Sequence, residues 1–117
     1  MTAGLGGTLW HITILLAGDP IPLDALGRGL RRLCDLDPAN MAARYRAGAV
    51  ELQFWDEGSD LETVALAAAQ LWRSSRQGAG LPDWSLVGLQ VLERARWRER
   101  RLTLPLAMAP GSVEVLP

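Results

Sequence analysis

At 117 residues the chain has the length of one domain, and a chain of that size buries roughly two-thirds of its unfolded surface. Apolar residues make up 49%, which excludes a chain disordered by composition. A net charge of −1 excludes a surface built throughout for nucleic acid.

All 12 basic residues are arginine. Arginine suits bidentate recognition of carboxylate or phosphate. Codon bias in a GC-rich genome gives the same pattern, and the abundance of Ala and Leu favours that explanation. The single cysteine, Cys34, leaves no internal disulfide and sits in an apolar helical stretch, so it reads as a small buried hydrophobe. The absence of a disulfide framework fits a reducing, cytoplasmic setting.

In chain order, residues 1–8 are Gly-rich and read as a loose arm. Residues 9–16 alternate as a strand, with Trp10, Ile12, Ile14 and Leu16 on one face and His11, Thr13 and Leu15 on the other. No basic segment precedes this apolar run, and His11 and Thr13 interrupt it. A buried strand therefore fits better than a secretory signal. Residues 18–22 form a turn with two prolines that opens a helix over 22–36. Leu23, Leu26, Leu30 and Leu33 make its apolar stripe. Gly27 and Gly29 weaken the helix, and either mark a close approach to the sheet or occupy indifferent surface positions.

Residues 41–47 and 49–55 read as a hairpin turning tightly around Gly48. Val50, Leu52 and Phe54 then face one way, and Glu51, Gln53 and Trp55 the other. Ser59 with Glu62 has the spacing of a capping box for a second helix, and Asp60 adds favourable charge at its start. Leu61, Val64, Ala65, Ala68, Leu71 and Trp72 form its stripe; the glycines and proline of residues 78–82 stop it. Residues 84–92 read as the last strand, with Val87, Leu89 and Val91 on one face. Residues 93–101 form a short charged helix, and 102–117 an extended tail.

The order β-α-β-β-α-β predicts an α+β, ferredoxin-like sandwich: a four-stranded antiparallel sheet with both helices on one face. The domain spans residues 9–101. The stretch from Trp84 to Val91, with the Arg-Trp segment around Trp97, is similar to the end of small ferredoxin-like proteins found in actinobacteria. The acidic stretch from Asp56 to Glu62 after the hairpin is similar as well. The resemblance implies that fold for roughly residues 9–97, and no catalytic residues.

Function has to come from the surface. His11 is the one histidine, and with Glu51 it forms the sole candidate acid–base pair; a polar pair on an open sheet face is the plainer explanation. One His and one Cys, 23 positions apart, offer no metal-ligand spacing, and no cofactor motif is present. Arg94, Arg96, Arg98, Arg100 and Arg101 surround Trp97, a pattern able to neutralise phosphates and stack on a base. The third strand, however, lacks the aromatics of an RNA-binding sheet. Alternation places His11, Thr13, Glu51, Gln53, Trp55, Trp84 and Gln90 on the open face. Two tryptophans among polar groups have the composition of an interface centre. The reading is a non-enzymatic interaction module, a homo-oligomer or the subunit of an assembly. Nucleic-acid binding through residues 94–101 is the first alternative and a small enzyme using His11 the second. Neither a membrane nor a metal enters any of these readings.

Overall fold

The computed structural model describes residues 8–96 and 110–115. The chain runs β1 (Thr8–Ala17), α1 (Leu23–Cys34), β2 (Ala42–Arg46), β3 (Ala49–Gly58), α2 (Leu61–Ser75), β4 (Ser85–Glu93) and β5 (Val113–Val115). A further helical stretch begins at Arg94. The strands form one sheet in the order β4-β1-β3-β2-β5. The first three pairings across it are antiparallel, and β2 pairs with β5 in parallel. This corrects the expectation of four antiparallel strands: the sheet is mixed and five-stranded. The fifth strand comes from residues expected to be an extended tail. It is tied down by long-range bonds: Gly111 N donates to the Met41 carbonyl at 2.7 Å and Ala43 N to the Ser112 carbonyl at 2.8 Å. Arg31 Nη1 donates to the Gly111 carbonyl at 2.9 Å.

The β1–β3 register places Ile12, Ile14 and Leu16 opposite Phe54, Leu52 and Val50. These six side chains form one core with Leu26, Leu30, Leu33 and Cys34 of α1 and Val64, Ala68 and Trp72 of α2. Both helices therefore pack on the same sheet face. Cys34 is fully buried there, and burial pushes its thiol up to about 11, so it is an inert hydrophobe at neutral pH. Gly27 marks a close approach: a Cβ there would lie 2.5 Å from the Tyr45 hydroxyl. α2 is capped one residue later than its sequence suggests. Asp60, not Ser59, is the N-cap, accepting from Thr63 N at 2.8 Å, and that bond holds its carboxyl below the usual carboxylate range. At the outer ends of their stripes Leu23 and Leu61 are exposed.

Strand β4 departs most from its expected pattern. Leu15 is opposite Gly88, yet Leu16 is opposite Leu86, so Val87 has no partner on β1. This one-residue bulge reverses the alternation of everything before it. Val87, expected in the core, is 63% exposed, and Leu89, on an edge strand, is 38% exposed. Trp84, expected on the open face, is 6% exposed and belongs to the core. Its indole N–H donates to the Asp19 carbonyl at 3.1 Å, and its own carbonyl accepts from Trp72 Nε1 at 3.0 Å. Its ring lies against Gly18, where a Cβ would come within 2.2 Å of it. No described helix is long and apolar enough to cross a membrane.

Candidate functional site

The face of the sheet away from the helices holds a hollow of about 370 Å³. β1 contributes His11, Thr13 and Leu15 to it, β2 Arg44, β3 Glu51 and Gln53, and β4 Gly88 and Gln90. The register explains why they converge. Thr13 lies between Gln53 and Gln90, and Leu15 between Glu51 and Gly88. Gly88 leaves room for Leu15: a Cβ there would be 2.9 Å from Leu15 Cδ1.

The charged part of the hollow is one knot. Arg44 and Glu51 are directly opposite across the β2–β3 hairpin. Arg44 donates to Glu51 Oε2 through Nη2 at 2.6 Å and Nε at 3.2 Å, and Gln53 Nε2 donates to the same oxygen at 2.7 Å. The guanidinium charge is thus balanced in place.

His11 and Gln53 are the polar side chains buried in the described structure, at 5% and 4% exposure. The His11 and Trp55 rings pack in a T-shaped arrangement, with centroids 5.0 Å apart and planes at 73°. Burial lowers the His11 pKa to about 4, against a smaller upward pull from Glu51. The imidazole is therefore neutral at pH 7. Trp55 is held by its backbone: Asn40 Nδ2 donates to its carbonyl at 2.9 Å, and its N–H donates to Asn40 Oδ1 at 2.8 Å. The Asn40 amide thereby continues the β2–β3 ladder ahead of Ala42, the first residue of β2.

Of the residues placed on this face by alternation, His11, Thr13, Glu51, Gln53 and Gln90 come together in the hollow, with Trp55 packed on His11. Trp84 does not join them. Arg94 and Arg96 follow β4 in the helical stretch; Trp97, Arg98, Arg100 and Arg101 lie outside the described residues. Sequence reasoning missed Arg44 and Asn40. Arg44 was within reach of it, since a two-residue turn at Ala47-Gly48 sets residue 44 opposite 51. Asn40 carried no pattern. Among the described residues no group of three or more His, Cys, Asp or Glu could hold a metal ion.

A small α+β domain with a polar, half-enclosed sheet face and a neutral buried histidine is the class of protein these features define. Residues 9–105 match the family described as a Domain of unknown function (DUF8830), and the chain belongs to that family. No curated protein and no solved structure matches it.

Proposed function

We propose that this protein is a non-enzymatic interaction module of the cytoplasm, built on a ferredoxin-like frame akin to small actinobacterial proteins, and that its open sheet face takes another protein chain. The order β4-β1-β3-β2, with antiparallel neighbours, supports the frame. The observation that carries the function is the make-up of the open face. Leu15 stands 42% exposed on it, half-buried Trp55 packs on His11 four positions further along the strands, and the Arg44–Glu51 pair next to Leu15 has its charges matched in place. An apolar centre with satisfied polar neighbours is what a protein partner desolvates cheaply. The features disfavour acid–base chemistry at His11. The carboxylate acting on it, Glu51, is engaged by Arg44 and Gln53, and the imidazole takes up a proton only near pH 4.

The test is capture from the native host with the wild-type chain and with a Leu15→Asp, Trp55→Ala double variant, each bound partner quantified. The reading expects a protein retained by the wild type and lost by the variant while circular dichroism is unchanged. The same proteins on both baits would overturn it. Retention of nucleic acid that weakens steeply with salt would favour the arginine segment instead.

A further inference from the structure

We infer that β4 is a dimerisation edge, pairing with β4 of a second copy about a two-fold axis centred on Gln90. This rests on the reading of the protein as an interaction module and names one partner and its docking geometry. The two edges of the sheet are treated differently. Beyond β2 the chain supplies its own cover, β5, bonded in parallel. Beyond β4 the described residues supply no strand.

An open edge presents a row of backbone donors and acceptors, and proteins protect such edges with lysine, proline or inward-pointing charge. From Ser85 to Leu92 the sequence is Ser-Leu-Val-Gly-Leu-Gln-Val-Leu, with no lysine, proline or charge; the one edge-blunting device along it is a bulge near its start. The bulge at Val87 bends the start of the strand and leaves Gly88–Glu93 in regular register with β1. Val87 and Leu89 are exposed along it.

A second copy fits this edge better than an arbitrary strand does. A closed two-fold requires identical edges to run antiparallel, the sense in which this edge is self-complementary. If the two sheets continue into one, facing residues must share a face, so the axis passes through a residue. Centred on Gln90, the pairing sets Leu89 opposite Val91 of the other copy and Gly88 opposite Leu92. The two Gln90 amides face each other, and an amide can both donate to and accept from its twin. The first charge met, Glu93, faces Val87. No like charges oppose each other along the paired stretch.

The experiment is sedimentation equilibrium on the wild type, Gln90→Glu, Gln90→Lys, and an equimolar mixture of the two variants. The wild type should dimerise. Each variant alone should dimerise at least about tenfold more weakly, because like charges meet at the axis, and the mixture should regain wild-type association. Circular dichroism confirms that each variant is folded. A wild type that stays monomeric up to about 1 mM, variants that dimerise as the wild type does, or a mixture that fails to recover would each overturn the inference. Val87 lies outside the hollow, and Val87→Glu would set a carboxylate opposite Glu93 of the other copy. Partner capture lost in the Leu15 and Trp55 double variant but kept in a Val87→Glu variant that no longer dimerises would leave the open-face reading standing alone.

Discussion

The two faces of β1 and β3 are built from alternate residues of the same segments, yet they obey different rules. On the helix side Ile12, Ile14, Leu16, Val50, Leu52 and Phe54 are buried, and none of these six needs a particular partner beyond shape. On the opposite side His11 and Gln53 are equally buried, but each brings polar atoms that must be matched. The difference teaches where specificity resides. The helix side makes the fold stable, whereas the other side is ordered by a few directed bonds to Glu51 and Trp55 and is the side with chemistry to offer.

The comparison is broken most severely if Trp84 turns out not to belong to the helix side. Trp84→Ala should cost about 3–5 kcal/mol in urea unfolding, because it empties a buried site and removes the indole's bond to the Asp19 carbonyl. A loss under about 1 kcal/mol would return Trp84 to the open face.

Acid should discriminate the faces next. The helix-side residues named above do not titrate, whereas His11 has its pKa lowered from 6.5 to about 4. The unfolded chain binds the proton more readily, so stability is fully present above about pH 6.5 and is lost as pH falls towards 4. The contribution is roughly 2–3 kcal/mol. His11→Phe should therefore lose less stability between pH 7 and pH 4 than the wild type does. Parallel pH profiles for the two proteins would show that the acid sensitivity lies elsewhere.

A smaller effect is expected at Asn40, which serves the open face by holding Trp55. Asn40→Ala removes both bonds to the Trp55 backbone and should cost about 1–2 kcal/mol. Its signature is local: amide exchange at Trp55 should accelerate more than exchange in α1. The smallest effect concerns Leu15. Leu15→Ser should change monomer stability by only about 0.5 kcal/mol, against about 2–5 kcal/mol for Leu52→Ala on the other face. A large loss at Leu15 would mean that the open face is core as well.

Sequence by itself determined most of the frame, because periodicity is a local property. Alternation in residues 9–16 and 49–55 located β1 and β3 and sorted their faces correctly. The leucine stripe located α1, and the tight turn at Gly48 set the hairpin. Only the tertiary structure decided the rest, each time for a non-local reason. Whether Gly27 marks a close approach depends on Tyr45, which stands on another element. The fifth strand depends on bonds from Gly111 and Ser112 to the edge of β2, which a three-residue segment cannot announce. The bulge at Val87 is set by the pairing of β4 with β1, and a period-2 count carried through it puts Val87 and Trp84 on the wrong sides. Burial of His11 follows from the same cause. Alternation could place the ring away from the helices, but its packing against Trp55 and its low pKa arise only when β1 and β3 pair.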